Sequence, residues 1–112
     1  MKKILLILIL IISLDAKTST LKFSKESQNA MTWADALVYC KELSSQNRSD
    51  WRLPKITKLV TFKDARSNSS KYYWSSTTYA YYKKTAWFSS PSKDYQHFSL
   101  KTKKYYVRCV LD

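Results

Sequence analysis

The only two cysteines of this 112-residue chain, Cys40 and Cys109, constrain its fold more than any other feature. A bond between them would close a loop of about 70 residues, which the chain-entropy model values at roughly 4 kcal/mol, a large share of a small domain's stability. Whether they pair depends on the compartment, and the N-terminus bears on that. Met1-Lys2-Lys3 is a positive head, Ile4 to Ile12 an unbroken run of nine apolar residues, and Ser13-Leu14-Asp15-Ala16 a polar tail ending in a small residue. Such a run falls short of the roughly 20 residues that span a bilayer, but it suits the central stretch of a secretory signal. Residues 1–16 therefore read as a signal peptide cut after Ala16, with Leu14 a poor fit to the cleavage pattern and an uncleaved membrane anchor as the competing reading. Export would place the protein in the periplasm or outside the cell, where an even pair of cysteines suggests a disulfide. The spacing excludes a CxxC redox motif, and two sulfurs alone cannot complete a structural zinc site. No cysteine near residue 16 offers a lipid acceptor, so the mature chain should be soluble, with no stable membrane span after cleavage.

Removing 16 residues leaves 96 of the 112 and, with Lys2, Lys3 and Asp15 gone, takes the formal charge from +12 to +11. All 17 aromatic residues lie beyond the cut. That is enough for one packed core, in a domain of a size that benefits from a staple. The composition excludes a multidomain enzyme, a coiled coil, collagen and a transmembrane bundle, and such aromatic density argues against disorder.

Residues 17–29 form an N-terminal arm, patternless apart from Leu21 and Phe23, which reads as a lead-in strand or a loose segment; the domain proper runs over 30–112. Thr32 can cap a first helix with Asp35 three residues on, and Trp33, Ala36, Leu37, Cys40 and Leu43 make one apolar stripe at helical spacing. The stripe puts Cys40 on the buried face. Ser44 to Asn47 should end this helix, with Asn47 in the left-handed conformation that glycine usually supplies. Ile56, Leu59, Val60 and Phe62 outline a second helix with Pro54 in its first turn. Beyond Ser67 the pattern turns to strands: Tyr72 to Tyr79, Ala86 to Phe88, Tyr95 to Leu100 and Tyr105 to Val110, separated by lysine-rich turns. Two helices on a small antiparallel sheet define an α+β domain.

Five strings occur in order: Met31-Thr32-Trp33-Ala34-Asp35-Ala36-Leu37-Val38-Tyr39-Cys40, Asp50-Trp51-Arg52-Leu53-Pro54, Tyr73-Trp74-Ser75-Ser76-Thr77, Ala86-Trp87-Phe88 and Val107-Arg108-Cys109-Val110. Together they resemble the bacterial Lcl C-terminal domain family, also called domain of unknown function 1566, from about residue 30 to the end. The resemblance implies a C-type-lectin-like fold, akin to that of the formylglycine-generating enzyme, in which a cysteine of the first helix is bridged to one on the last strand. That agrees with pairing Cys40 to Cys109. It also implies an exported protein, and the collagen-like adhesin that gives the family its name uses this domain to bind sulfated polysaccharides. The chain departs from the family in having no glycine, so tight turns with positive φ must fall on Asn47, Asn68 or Asp94.

No catalytic constellation emerges, and the chain reads as a non-enzyme without a cofactor. His97 is the single histidine, beside Tyr95, Gln96 and Phe98, and reads as a surface or strand residue. Glu26, Asp35, Glu42, Asp50, Asp64, Asp94 and Asp112 are scattered singly among lysines, a poor basis for a carboxylate pair or a calcium cage. The calcium-ligand triplets of sugar-binding C-type lectins, Glu-Pro-Asn and Trp-Asn-Asp, are absent. If both sulfurs form a bridge, cysteine chemistry of the formylglycine-generating kind is disfavoured too. Asp50 and Arg52 flank Trp51 and read either as a ligand clamp or as an ion pair and aromatic plug that lock the start of the second helix; the lock is favoured, and Leu53, Pro54 and Trp74 read as scaffold.

Charge is what remains distinctive. Lys55, Lys58, Lys63, Arg66 and Lys71 lie in or after the second helix, and Lys83, Lys84, Lys93, Lys101, Lys103, Lys104 and Arg108 populate the strand region. Such an excess attracts polyanions with salt-sensitive affinity. Tyr79, Tyr81, Tyr82, Trp87, Tyr105 and Tyr106 between them offer flat faces for sugar rings. The expectation is a binding module that attaches through Lys83, Lys84, Lys101, Lys103 and Lys104 to an anionic glycan or envelope polymer. The alternative is a periplasmic protein-interaction or inhibitor module. Nucleic acid meets the same electrostatic requirement but ranks lower for an exported chain.

Overall fold

The computed structural model describes residues 22–47, 49–62 and 71–111. The segment 1–16, expected from the sequence to be a signal or an anchor, and Leu21, Lys63, Asp64, Arg66, Asn68 and Asp112 lie outside the described residues. Among the described residues no helix is long and apolar enough to cross a membrane.

Helix α1 (Trp33–Asn47) begins where the sequence places it. The Asp35 N–H donates to Thr32 Oγ1 at 3.4 Å, and the Trp33 N–H is taken by the Lys101 carbonyl at 3.1 Å. These contacts satisfy donors that a first turn otherwise leaves bare. Ala36 and Cys40 are buried, and Trp33, Tyr39 and Leu43 pack partly against the same core. Leu37 departs from the expected stripe and is exposed. At 100° per residue it lies about 90° from the centre of the arc set by Ala36, Cys40 and Leu43, whereas Tyr39 lies about 70° away and has the longer reach. Asn47 does not cap the helix but continues it as the last helical residue. Asp94 instead takes positive φ, at 50°, in the four-residue turn between β3 and β4. An aspartate is among the side chains that enter that region at least cost.

Helix α2 (Ile56–Leu59) is a single turn whose preceding residue, Lys55, is extended. Pro54 therefore sits ahead of the helix and not in its first turn. Its carbonyl accepts the Ser76 N–H at 2.7 Å, and the Ile56 N–H donates to Thr77 Oγ1 at 2.9 Å. The helix is docked by β2 from both sides of its start, with Leu59 fully buried beneath it.

Strands β2 (Tyr73–Thr78), β3 (Thr85–Ser90) and β4 (Tyr95–Leu100) form an antiparallel meander in the order β2-β3-β4. Both helices pack on β2, and α2 also touches β3. Strand β1 (Lys22–Phe23) pairs with β5 (Val110–Leu111) as a second, two-stranded sheet. The arm is thus a lead-in strand, and the two ends of the described chain meet. The expected strand from Tyr105 to Val110 is broken into separate pairings: Tyr105 with Met31, Tyr106 with Tyr73, and Val110 with both Phe23 and Arg52. Serine hydroxyls explain the break. Ser27 Oγ accepts the Val107 N–H at 3.0 Å and Ser24 Oγ accepts the Cys109 N–H at 2.8 Å, so the tail is held by side chains where a ladder would otherwise run.

Cys40 and Cys109 are joined, with Cα atoms 5.5 Å apart. Around the bond lies a core of Ala36, Leu53, Trp74, Ala86, Phe88 and Val107. Trp74 is wholly buried, its Nε1 donating to the Met31 carbonyl at 2.9 Å. Removing an indole from water contributes about 5 kcal/mol at most, and only where its N–H finds such a partner.

Strand β2 bulges between Trp74 and Thr78, and Ser75 fills the gap. Its hydroxyl donates to the Trp87 carbonyl at 2.7 Å and accepts the Thr77 N–H at 3.1 Å, while its carbonyl takes the Trp33 indole N–H at 2.8 Å. Ser75→Ala should therefore cost about 1–3 kcal/mol in urea unfolding, because two part-buried backbone groups lose their partner. Ser76→Ala should cost less than about 0.5 kcal/mol. Equal costs at the two positions would contradict this account of the bulge.

Candidate functional site at the lysine-rich end of the sheet

Strand β3 runs antiparallel to both neighbours, so the β2–β3 connection (79–84) and the turn after β4 (101–104) emerge at the same end of the sheet. Thr85 pairs with Leu100, and the Lys101 N–H donates to the Lys84 carbonyl at 2.9 Å. The turn closes with the Lys103 N–H on the Leu100 carbonyl, also at 2.9 Å. This brings Lys83 and Lys84 beside Lys101, Lys103 and Lys104. Lys83, Lys84, Lys103 and Lys104 are exposed, and no ion pair among the described residues involves them.

Lys101 has a different place from the other four. It is half-buried, its Nζ donates to Thr78 Oγ1 at 2.9 Å, and it lies 4.0 Å from the centroid of the Trp33 ring. With its carbonyl on the Trp33 N–H, it ties the first turn of α1 to the sheet, a strut that combines a hydrogen bond with a cation–π contact.

The aromatics divide similarly. Tyr79 stacks on Phe98 with centroids 4.1 Å apart, and Trp87 meets both edge-on at 5.6 and 5.8 Å. Tyr105 packs into the core against Trp74, and Tyr106 lies beneath the Lys71 ammonium. Tyr81 and Tyr82, at 89% and 54% exposure, are left as flat faces directly preceding Lys83 and Lys84. Beside the Tyr79–Trp87–Phe98 cluster a shallow apolar groove of about 260 Å³ runs between α2 and the sheet, lined by Ile56, Thr57, Val60, Trp87 and Gln96.

Two of the cations counted in the surface charge are paired with Glu26. Glu26, in the arm, accepts hydrogen bonds from the Lys71 ammonium and the Tyr73 hydroxyl, and Arg108 Nη2 stands 3.9 Å away. Arg108 also donates to the Ser24 carbonyl at 2.9 Å and lies over the Phe62 ring at 4.7 Å. Partial burial would raise the Glu26 carboxyl, but the hydrogen bonds from Lys71 and Tyr73 and the charges of Lys71 and Arg108 outweigh it and hold the group below its ordinary range. The hydrogen bond to Glu26 raises Lys71 in turn. Burial, followed by the Glu26 hydrogen bond and charge, pushes Tyr73 up to about 12. Sequence reasoning missed this cluster because Glu26 sits in a stretch without periodicity, and its partners lie far along the chain.

The Asp50–Pro54 segment locks the fold mainly through its backbone. The Trp51 N–H donates to Ser44 Oγ at 3.0 Å, Arg52 and Val110 exchange backbone bonds at 3.0 and 2.7 Å, and Leu53 and Pro54 are buried. Asp50 is exposed, and no ion pair between described residues joins it to Arg52. His97 is exposed on β4, with Nδ1 3.0 Å from the Phe98 carbonyl. Both cysteine sulfurs are spent in the bridge.

An α+β domain stapled from its first helix to its tail, presenting free lysines at one end of a three-stranded meander, is the class of protein that this geometry defines. The model of the Lcl C-terminal domain family matches residues 14–111, and the chain belongs to that family. The match takes in the arm that carries Ser24, Glu26 and Ser27. None of the curated proteins matches the chain.

The Glu26 cluster makes stability depend on pH with a definite sign. A carboxyl held below its ordinary value stabilises the fold above about pH 4.5 and loses that contribution as pH falls through its lowered folded value. Glu26→Gln should therefore lower the urea midpoint at neutral pH, and the gap to the unmodified protein should close in strong acid. A gap that stays constant from pH 7 to below pH 4 would contradict the assignment.

Proposed function

We propose that the chain is a small exported, non-catalytic binding module, C-type-lectin-like in fold, that attaches to anionic polysaccharide or an anionic envelope polymer. Its contact surface is Lys83, Lys84, Lys103 and Lys104 with Tyr81 and Tyr82, on an end braced by Lys101. The observation that carries the reading is the convergence of two separate loops on one end of the sheet, bringing together four exposed lysines that make no ion pair with described residues. At physiological salt, screening sets in over about 8 Å, so lysines must be gathered this closely to act together on a polymer. The exposed tyrosines offer flat faces to sugar rings beside the sulfate- or phosphate-binding charges. Export is supported by the positive head and apolar run at the N-terminus and by a bridged cysteine pair, and the helix-to-tail position of that bridge supports the lectin-like fold.

Retention on a heparin column tests the proposal. The unmodified protein should elute above physiological salt, and alanine at Lys83, Lys84, Lys103 and Lys104 should move elution well below it. A charge-matched variant with alanine at Lys22, Lys55, Lys58 and Lys93 should lose much less. Equal losses in the two variants, or elution of the unmodified protein below physiological salt, would overturn the site.

A further inference from the structure

We infer that the outer edge of β4 is a docking edge for an extended, acidic peptide segment of another protein, which joins the sheet as a further strand. In the order β2-β3-β4, strand β4 has, among the described residues, a neighbour on one side only. The Lys84 carbonyl receives the Lys101 N–H, whereas the Thr85 carbonyl receives the Tyr79 N–H, so the even-numbered residues of β3 face β4. With Thr85 opposite Leu100 and Phe88 opposite His97, the backbones of Tyr95, His97 and Ser99 turn toward β3, and those of Gln96, Phe98 and Leu100 turn outward. Two of the outward carbonyls are engaged locally: that of Leu100 by the Lys103 N–H, and that of Phe98 by the His97 ring at 3.0 Å. Among the described residues nothing bonds the N–H groups of Gln96, Phe98 and Leu100 or the Gln96 carbonyl. The edge therefore offers three donors against one acceptor.

Soluble proteins commonly blunt such an edge with lysine, proline, a bulge or a short strand. Strand β4 has none of these. Its six residues, Tyr-Gln-His-Phe-Ser-Leu, include no lysine, acid or proline, in a chain that is 25% charged. Its ladder to β3 is unbroken over six pairs, and the bulge of the sheet lies on β2 instead. Side chains on both faces are available to an incoming strand: Tyr95 and Leu100 are 43% and 44% exposed.

Charge selects the occupant. The strand leads directly into Lys101, Lys103 and Lys104, with Lys83 and Lys84 alongside, whereas Lys93 and Asp94 precede its other end. A strand that places carboxylates near the Leu100 end and apolar or β-branched residues along Phe98 and Tyr95 complements this edge in both hydrogen bonding and charge. A second copy of the chain complements it less well, because each partner carries a formal charge of +12. The docking edge itself rests on backbone groups of β4, and only the preference for an acidic strand shares the lysine cluster with the polyanion reading, so protection of the β4 amides and loss of heparin retention are separable outcomes.

The test uses the oxidised protein and a synthetic strand of alternating valine and threonine with two glutamates at one end, compared with the same peptide carrying lysines there. At saturation the glutamate peptide should slow amide exchange at Gln96, Phe98 and Leu100 by at least about tenfold, and the lysine peptide should not. Gln96→Pro removes an outward N–H at an edge that tolerates proline and should weaken binding about fivefold, whereas Gln96→Ala should leave it unchanged. If the proline variant does not fold, the exchange pattern of the unmodified protein still decides. Perturbation confined to the lysine turns would overturn the inference. Protection of the same amides by rising concentration of the protein alone, which makes a second copy the occupant, would overturn it too.

Discussion

The bond between Cys40 and Cys109 is the constraint on which the rest of the structure depends. It fixes the middle of α1 to the tail just before β5, and every other long-range attachment of the tail lies within a few residues of it. Tyr105, Val107, Cys109 and Val110 are each held by backbone or hydroxyl partners from the arm, the start of α1 or the Arg52 segment. None of these bonds is individually worth more than about 1 kcal/mol net. They can act together because the covalent link keeps the tail close in every state of the chain. A domain of this size buries little surface for its length, which makes that assistance decisive.

The motifs by which the family is recognised are the places where polar groups of this small core find partners. Trp33 and Trp74 donate their indole N–H groups to the Ser75 and Met31 carbonyls, Ser75 reaches Trp87, and Pro54 takes the Ser76 N–H. Each string thus satisfies a group belonging to another. In the proposed function, this division leaves the contact surface to the intervening segments. The exposed lysines of the two loops and the outer edge of β4 lie outside this interlocked set, whereas Lys101 ties its turn to Trp33 and Thr78.

Much of this was legible in the sequence because it rested on periodicity and on cysteine arithmetic. Helix α1 with Cys40 facing inward, the bounds of β4 and the pairing of the cysteines follow from local pattern. The second helix shrank to one turn because Lys55 is extended and Pro54 is occupied by β2, a tertiary contact with no local signature. The last strand broke up for the same reason, since Ser24 and Ser27 supply hydroxyls from 85 and 80 residues upstream. At the candidate site the sequence could not tell that Lys101 turns in to Thr78 and Trp33, nor that Lys71 and Arg108 are held by Glu26. Counting charge overstates free charge wherever a lone acid lies distant along the chain.

The central claim, that one covalent link holds the tail against α1 and so supports the whole assembly, is tested most directly by comparing urea unfolding of the oxidised protein with that of the same protein reduced. Closing a loop across 69 residues predicts a loss of roughly 4 kcal/mol on reduction, with the slope of the transition altered by the looser unfolded chain. A reduced protein that unfolds at the same denaturant concentration as the oxidised one would contradict the account.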